Sequence, residues 1–336
     1  MRAADILTLT PAGLYCASGD FHIDPVRKVA RAVITHGHSD HARSGHGAVL
    51  ATAPTLDVMQ VRYGSKFTGE RQTACFNEIV AHGEARITFK PAGHVIGSAQ
   101  ILIEVKGARI VVSGDYKRAR DPTCPPFEPI PCDVFITEAT FGLPIFQHPP
   151  VKDEVARLLA SLRLFPERAH FIGAYSLGKA QRLIAELREA GHDDEIFVDA
   201  ATAKQCAVYE SHAISLGRLS PLEGKSPFDL PGKIIIAPPS ARRLFEDLEH
   251  EPVTSFASGW MRTRKRAQQG GGELPLIISD HADWNELTQT VAEVSPGELW
   301  ITHGEAAALM HWAKCRGISA RPLAMTGYGN EETTAQ

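Results

Sequence analysis

The chain has 336 residues, of which 43% are hydrophobic and 22% are charged, and its formal net charge at pH 7 is −4. This length is too great for one ordinary core and predicts two domains of about 100–200 residues each. The composition indicates a soluble globular protein and excludes a broadly basic nucleic-acid coat. No apolar run approaches the ~20 residues needed to cross a bilayer, so we expect no membrane segment.

The first residues of the sequence and the spacing of its cysteines bear on where the protein is located. Residues 1–6 contain neither the apolar core nor the cleavage site of a signal peptide, so we expect a cytoplasmic protein. The six cysteines show no CxxC pair and no spacing of a disulfide framework. We therefore predict reduced thiols with no part in metal binding or catalysis.

Three histidines and an aspartate directly follow a predicted apolar strand at residues 32–35. They are His36, His38, Asp40 and His41. Imidazole nitrogens and a carboxylate suit zinc, or manganese or iron where more oxygen donors join. If the chain turns after the strand, the first two histidines can face one ion while Asp40 and His41 face another. Two ions about 3.5–4 Å apart hydrolyse phosphate esters and other electrophilic centres, so the segment predicts a two-metal hydrolytic site. The alternative is a histidine-rich turn without a ligand.

Further candidate ligands stand at the ends of later strands. A predicted strand at 86–90 leads to His94, which small residues flank. A predicted hairpin, 99–105 and 109–113, ends just before Asp115. A third apolar strand ends at Thr302-His303-Gly304 and repeats the Thr-His-Gly order of residues 35–37. Each residue alone would more often be a loop or capping residue, but together they complete two coordination shells.

Between these strands the chain changes character. Residues 143–150 are rich in proline, which predicts a crossing into an inserted domain. Alternating helices and strands follow, and they predict a small α/β cap over the metal cleft. The predicted elements are helix 151–165, strand 170–174, helix 177–190, strands 195–199 and 233–237, helix 240–250 and strand 253–257. Glycines 270–272 should link to a returning strand at Leu274, and helices 283–294 and 304–316 should cover the catalytic sheets.

This set of residues resembles the metallo-β-lactamase superfamily, whose hallmark is an HxHxDH motif followed by separate His and Asp motifs. The resemblance implies two ligand sets bridged by Asp115: His36, His38 and His94 for one ion, and Asp40, His41 and His303 for the other. Asp24, which ends a short strand before Pro25, matches the first acidic motif of the family. The implied role of Asp24 is to orient a ligand histidine or the strand end. The alternative is an ordinary turn residue before proline.

Two further segments resemble the β-CASP nucleases within that superfamily. Residues 133–142 carry Glu138 in an acidic motif, and residues 276–283 carry His281 after a strand. Lactamases, glyoxalase-like thioesterases and lactonases lack this pairing. The group includes Artemis-type DNA-repair nucleases and the pre-mRNA cleavage endonuclease, and size and motif wording resemble the compact bacterial DNA-ligase-associated exonucleases. The implied fold is α/β: an αββα sandwich (1–146 and 274–336) with an inserted β-CASP cap (147–273).

The resemblance implies a two-metal phosphodiesterase that acts on nucleic acid, and specifically a single-strand DNA exonuclease of DNA repair. Its cofactors are two divalent ions, zinc and/or manganese, and the implied catalytic residues are Asp40, Glu138 and His281. His281, held by Glu138, is the candidate general acid, with a structural turn residue as the alternative. Three alternative functions remain: an RNA-processing nuclease, a small-molecule thioester or lactone hydrolase, and a catalytically inactive binding subunit.

Substrate contacts are expected at two places in the predicted cap. Arg262 and Arg264 belong to a run of four cations in residues 262–266, which either binds phosphates or forms a solvated loop. Lys179 lies where a strand meets a helix start and could bind a phosphate together with backbone amides. The resemblance implies that this segment faces the cleft, with Ser176 and Lys179 as ligands of a terminal phosphate. Residues 116–118, after Asp115, could line the groove or be free surface positions. The expected partner is nucleic acid, chiefly single-stranded DNA, with a DNA ligase or helicase suggested by the resemblance.

Overall fold

The computed structural model describes residues 6–225, 230–241, 251–270 and 272–323 of the protein. These residues belong to two compact units. The first unit combines the chain up to Pro144 with the chain from His281 onwards, and the second runs from Ile145 to Asp280. The crossings predicted from the sequence lie at 146/147 and 273/274. The assignment of the units to a catalytic domain and a cap domain stays a prediction.

The first sheet of the first unit has six strands. They are β1 Leu7–Thr10, β2 Gly13–Cys16, β3 Phe21–Ile23, β4 Arg31–Val33, β5 His46–Ala51 and β6 Thr68–Thr73. The strands lie side by side in chain order. They are antiparallel from β1 to β3 and parallel from β3 to β6. Helix α1, Ala53–Tyr63, connects β5 to β6.

The second sheet of the first unit has seven strands. They are β7 Ile79–His82, β8 Ala85–Pro91, β9 Ala99–Val105, β10 Ala108–Val112, β11 Val134–Ala139, β17 Glu298–Gly304 and β18 Ser319–Pro322. Their order is β18–β17–β11–β10–β9–β8–β7. The four strands from β18 to β10 are parallel, and the rest are antiparallel. Helices α6, Trp284–Val294, and α7, Ala306–Lys314, flank β17 in the chain.

Alternating side chains explain how these sheets are layered. In β11, Val134 and Ile136 join the core shared by the two sheets, whereas Phe135 and Ala139 join a cluster with α6 and α7. This alternation follows from the two-residue period of a strand. On the other side, α1 packs against the first sheet through buried residues such as Leu56. The order is therefore helix, sheet, sheet, helix, which confirms the predicted αββα sandwich.

The carboxyl ends of β4 and β10 come close together at one edge of the sandwich. Gly114, two residues after β10, has a φ of +56°, and a Cβ at this position would lie 2.8 Å from Cβ of Thr35. Glycine is needed here because it tolerates the left-handed conformation and leaves room for the neighbouring strand end. On the same side, the amide of Ala99 donates to the carbonyl of Thr35 at 2.8 Å.

The second unit has one five-stranded sheet. Its strands are β12 His170–Gly173, β13 Ile196–Val198, β14 Leu219–Pro221, β15 Ile234–Ala237 and β16 Val253–Phe256. They are all parallel, in the order β14–β13–β15–β12–β16. The helices are α2 Val151–Leu164, α3 Lys179–Glu189, α4 Ala200–Ser211, α5 Arg264–Gly270 and a short 3-10 helix Gly259–Arg262. Parallel strands need such crossover connections, and the unit confirms the predicted α/β insert.

The returning strand predicted at Leu274 is wrong. Residues 272–278 instead run beside β16, with the amides of Leu274 and Leu276 donating to the carbonyls of Thr254 and Phe256 at 3.1 Å each. Only isolated bridges form there. Pro275 supplies a physical reason, because it has no amide to donate to a ladder.

Two other sequence predictions concern a helix at residues 240–250 and the absence of a membrane segment. The helix predicted at 240–250 falls mainly on 242–250, which lie outside the described residues. Among the helices that the structure describes, none is both long enough and apolar enough to span a bilayer.

Neighbouring strands provide a matched test of this core. Ile87 on β8 is fully buried, whereas Ile79 on β7 is 52% exposed. We expect Ile87→Ala to lower the free energy of unfolding by about 2–5 kcal/mol, because it removes packed methyl groups and leaves a cavity. Ile79→Ala should change it by only about 0.5 kcal/mol. Urea unfolding of both variants measures the difference, and equal losses would contradict the assigned layering.

Candidate active site

Four side chains assigned to the first metal ion lie together and are buried. They are His36, His38, His94 and Asp115, and one ligand atom of each lies within 4.8 Å of all the others. Nδ1 of His38 lies 2.9 Å from Nε2 of His94. Nε2 of His36 is buried and makes no hydrogen bond to any residue in the described part of the chain. An orphaned imidazole nitrogen among three other ligand atoms fits a zinc or manganese ion.

The second predicted ligand set is brought together in part. His41, Asp115 and His303 form another group whose ligand atoms lie within 4.8 Å of one another. Asp40 does not join this group, although its Oδ2 lies 3.8 Å from Nε2 of His41. The structure therefore places Asp40 beside the second group, and its roles as ligand and catalytic residue stay predictions.

Asp115 is the residue that both groups share. Its Oδ2 lies 3.6 Å from Nε2 of His36, 3.5 Å from Nε2 of His41 and 3.8 Å from Nε2 of His94. The same oxygen lies 3.9 Å from Nδ1 of His281. A single buried carboxylate oxygen thus faces four imidazoles, which is the placement that a ligand bridging two cations requires.

Thr35 and Asp24 orient His36 and His41 through hydrogen bonds to the Nδ1 atoms, on the side of each ring away from the cluster. Asp24 accepts hydrogen bonds from the amide and the hydroxyl of Thr35 at 2.8 and 2.7 Å, and its Oδ2 lies 2.8 Å from Nδ1 of His41. With Asp24 accepting the His41 Nδ1–H, Nε2 of His41 is left for the cluster. The Thr35 hydroxyl, already donating to Asp24, accepts from Nδ1–H of His36 at 3.0 Å. The sequence pointed to Asp24 for such a role but missed Thr35.

The second Thr-His-Gly segment repeats this arrangement. Oγ1 of Thr302 lies 3.4 Å from the carbonyl of Thr137, to which it donates, and 2.9 Å from Nδ1 of His303. The hydroxyl therefore accepts from His303 Nδ1–H and leaves Nε2 of His303 for the cluster. The repeated Thr-His-Gly order was the sequence signal that could have identified both threonines.

Glu138 and His281 form a third group with Asp115. Glu138 is fully buried at the end of β11, and its Oε2 lies 3.0 Å from Nδ1 of His281. Its other oxygen accepts the amide of Tyr116 at 2.7 Å. With both oxygens engaged, Glu138 fixes the Nδ1–H tautomer of His281, and Nε2 of His281 becomes the atom for proton exchange. The structure thus brings together the acid pair that the resemblance implies.

Charges within the cluster balance around Asp115. Burial alone would raise the pKa of Asp115, but His41 and His281 hold it well below its ordinary value. Burial alone would lower the pKa of His41, but Asp115 and Asp40 hold it well above its ordinary value. Burial and the nearby His41 lower the pKa of His303 to about 4. In the chain alone, a proton on His41 compensates Asp115, and a divalent cation would supply the same compensation while leaving the imidazole free as a ligand.

The predicted phosphate contacts near α3 differ in their surroundings. Ser176 is half-buried in the turn before the helix. Lys179 is fully buried, with Nζ 3.7 Å from Oδ2 of Asp280 and 5.3 Å from the ring centre of Tyr175. Lys179 is therefore buried beside a carboxylate, whereas Ser176 is partly accessible, and the phosphate-binding roles of both residues stay predictions.

The basic run of the second unit is exposed at its first two arginines. Arg262 donates from Nε to the carbonyl of Gln147 at 3.0 Å, and Arg264 begins α5. Neither arginine forms an ion pair with a carboxylate of the described residues, in contrast to Arg157, which pairs with Glu154 at 2.7 Å. The run therefore keeps positive charge available for an anionic ligand.

The groove role suggested for residues 116–118 is wrong for the first two. Tyr116 is fully buried, and burial raises the pKa of its hydroxyl well above the ordinary value. Lys117 is 5% exposed and donates to Glu286 at 2.7 Å. Arg118 is half-buried and pairs with Glu293 at 2.8 Å. These side chains pack the loop after Asp115 against α6.

Comparisons with known proteins give several relatives, although no family model matches the chain. A probable DNA ligase from Opitutus terrae is 27% identical over 92% of this chain and 30% of its own length. An endoribonuclease YSH1 from Mycosarcoma maydis is 31% identical over 54% of this chain and 25% of its own length. Cleavage and polyadenylation specificity factor subunit 3-I from Arabidopsis thaliana is 25% identical over 86% of this chain and 53% of its own length.

The chain spans between a quarter and about half of the length of these three relatives. Among solved structures, it is similar to a protein of unknown function from Enterococcus faecalis V583. The TM-score is 0.57 at 15% identity, and the match covers 89% of this chain and 80% of that one. The similarity supports the fold.

Replacing Asp24 tests the support behind the metal ligands. In Asp24→Asn, the amide cannot accept from both Thr35 and His41 as the carboxylate does. We therefore expect zinc affinity to fall by about 10–100-fold, as is typical when a ligand histidine loses its outer partner. Zinc titration against a competing chelator measures the change. Asp20→Asn is the control, because Asp20 is 65% exposed and pairs with Arg31; equal losses in both variants would contradict the role of Asp24.

Proposed function

Because this chain belongs to the β-CASP branch of the metallo-β-lactamase superfamily, we propose that it is a two-metal phosphodiesterase that cleaves nucleic acid. More narrowly, we propose a single-strand DNA exonuclease of DNA repair. The observation that carries the proposal is the buried Glu138–His281 pair beside Asp115, because this pair adds a proton donor to a two-metal ligand set. A thioester or lactone hydrolase does not call for that pair.

The donor atoms of the site fit two divalent ions. His36, His38 and His94 would hold one ion, His41 and His303 the other, and Asp115 both, with Asp40 next to the second set. Imidazole-rich sites with carboxylates accept zinc as well as manganese, and both are proposed. Bound together, such ions provide a nucleophile at neutral pH and neutralise the charge that develops on the phosphate.

The residues of the chain divide the remaining work. Asp24 and Thr35 keep His41 and His36 in the tautomers that turn their Nε2 atoms inwards. Glu138 keeps a proton of His281 on Nδ1, so that Nε2 is the nitrogen that exchanges its proton with the substrate. His281 can therefore give the Nε2 proton to the leaving oxygen of the phosphodiester, which would otherwise depart as an alkoxide.

The choice of DNA over RNA rests on similarity. The probable DNA ligase is matched across 92% of this chain, which supports a DNA substrate and an association with a DNA ligase. An association with a helicase belongs to the proposal as well. The endoribonuclease from Mycosarcoma maydis, 31% identical over 54% of the chain, favours an RNA-processing nuclease as the second candidate.

Digestion of matched oligonucleotides separates these candidates. Single-stranded DNA and RNA of one sequence, labelled at either end, would be incubated with the protein and Mn²⁺ or Zn²⁺, with Asp115→Asn as the inactive control. Stepwise shortening of DNA supports the exonuclease, and the order in which label is released gives the polarity. Cleavage of RNA alone would favour RNA processing. Inertness towards both substrates, with two ions bound, would refute the nuclease proposal.

His281→Ala should separate metal binding from proton donation. We expect two ions per chain as in the parent protein, because His281 is not in the two metal-ligand groups. The rate of oligonucleotide cleavage should fall by about 10²–10⁴-fold, the usual contribution of a positioned general acid. Metal analysis and initial rates measure the two effects. Unchanged turnover would remove the role of His281.

Arg262 and Arg264 should contribute to binding rather than to chemistry. In the double variant Arg262→Gln/Arg264→Gln, we expect weaker binding of single-stranded DNA and an unchanged kcat. The slope of log K against log salt concentration should become shallower by about 1.4, because each lost phosphate contact on a single strand accounts for about 0.7. Fluorescence anisotropy at several salt concentrations measures the slope. Arg157→Gln is the control, and the same change in that variant would contradict a specific contact.

A further inference from the structure

Glu286 has more hydrogen-bond partners than a surface helix residue needs. It is the third residue of α6 and forms a capping box with Asp283, in which the Asp283 amide donates to Oε2 of Glu286 at 3.0 Å and the Glu286 amide donates to Oδ1 of Asp283 at 3.0 Å. Such a box by itself satisfies the free amides of a helix start. It leaves most of the acceptor capacity of the Glu286 carboxylate for other donors.

The loop after Asp115 supplies those donors. Nζ of Lys117 donates to Oε2 of Glu286 at 2.7 Å, and the amide of Ala119 donates to Oε1 at 2.5 Å. The side chains of Lys117 and Glu286 are only 5% and 15% exposed. Burial alone would raise the pKa of Glu286, but Lys117 holds it below its ordinary value, so the carboxylate is ionised and can accept from all three donors. The ion pair thus ties the Asp115 loop to the start of α6.

The residues joined in this way flank the proposed proton donor. Asp283 follows His281 by two positions, and the amide of Ala282 donates to the carbonyl of Tyr116 at 2.6 Å. The amide of Tyr116 in turn donates to Oε1 of Glu138. These hydrogen bonds connect the turn that carries His281 with the loop that carries Asp115 and with the carboxylate of Glu138. The ion pair between Lys117 and Glu286 adds a further connection between the loop and the turn.

We propose that Lys117 and Glu286 are positioning residues that set the geometry of the Glu138–His281 pair against Asp115. This inference rests on the proposed function, because it assumes that His281 donates a proton to the leaving group. A displacement of about 1 Å in a catalytic group is enough to lower a rate about 100-fold. Loss of the ion pair should therefore slow proton donation without removing any metal ligand.

The test compares substrates that need a proton donor to different extents. A DNA oligonucleotide has an alkoxide leaving group, whereas bis(p-nitrophenyl) phosphate has a stable phenolate leaving group that departs without protonation. In Glu286→Gln we expect kcat on DNA to fall by about 10–100-fold with KM unchanged, and activity on the phenolate ester to change by less than about threefold. Glu286→Gln and the parent protein should contain the same two ions per chain.

Glu293→Gln is the matched control for this experiment. Glu293 lies on the same helix and pairs with Arg118 from the same loop, but its side chain is 38% exposed. We expect no selective loss on DNA in this control. Equal losses of Glu286→Gln on the two substrates, or selective losses in both variants, would overturn the positioning role in favour of a general structural one.

His281→Ala separates a failure of this inference from a failure of the proposed function. If His281→Ala loses DNA cleavage selectively and Glu286→Gln does not, the positioning role is refuted while the proton donor stands. If His281→Ala shows no such selectivity, the proton-donor role of His281 and the positioning role of Lys117 and Glu286 are both refuted. A readout independent of turnover is the ¹⁵N-histidine NMR signal of His281 Nδ1–H, which should move in Glu286→Gln and stay in Glu293→Gln. An unmoved signal in both variants would also overturn the inference.

Discussion

One buried carboxylate oxygen, Oδ2 of Asp115, lies 3.5–3.9 Å from nitrogens of four histidines. An ionised carboxylate without positive partners is costly in such a place, and so are several imidazoles that crowd their lone pairs together. In the chain alone, charge on His41 and His281 meets the need of Asp115. Divalent cations would meet the same need and would also use the lone pairs of His36 and His303. The ligand atoms are thus arranged to bind metal ions rather than to pair with one another.

The clustered histidines and aspartates lie at or after the ends of strands in the sandwich. Hydrogen-bond partners outside the cluster then fix the orientation of several imidazole rings. Thr35 and Thr302 accept from the Nδ1–H of the histidines that follow them, although one hydroxyl donates to a carboxylate and the other to a backbone carbonyl. Different anchors therefore produce the same tautomer. Asp24 and Glu138 do the same with carboxylate oxygens, which lie 2.8 Å and 3.0 Å from Nδ1 of His41 and His281. Ring orientation in this site is consequently a property of the second layer as much as of the fold.

The clustering of the candidate ligands and the layered fold could be predicted because their signals are local. Each candidate histidine or aspartate follows an apolar strand directly, and the alternation of β11 shows in consecutive residues. Contacts between distant residues leave no such signal: Glu286 meets Ala119 across 167 positions, and Glu138 meets a backbone amide that any residue would supply. For the same reason no local signal showed that Lys179, which was predicted as a phosphate contact, has its Nζ 3.7 Å from Oδ2 of Asp280. Asp40 shows a further limit of prediction from sequence. Its position in the motif suggests a ligand of the second group, but its carboxylate lies beside that group, with Oδ2 3.8 Å from Nε2 of His41.

The group of Asp115, Glu138 and His281 could itself be considered a third metal site, but its hydrogen bonds argue against that. Both oxygens of Glu138 are engaged, one by the Tyr116 amide and one by Nδ1 of His281. The Nδ1 atom of His281 that faces the two carboxylates is therefore the protonated one, and a metal ion there would have to displace that proton and break the bond to Glu138. A carboxylate that holds an imidazole by its Nδ1–H and leaves Nε2 outside suits proton transfer. The same residue types are thus suited to different chemistry within a few ångströms, because their hydrogen-bond partners differ.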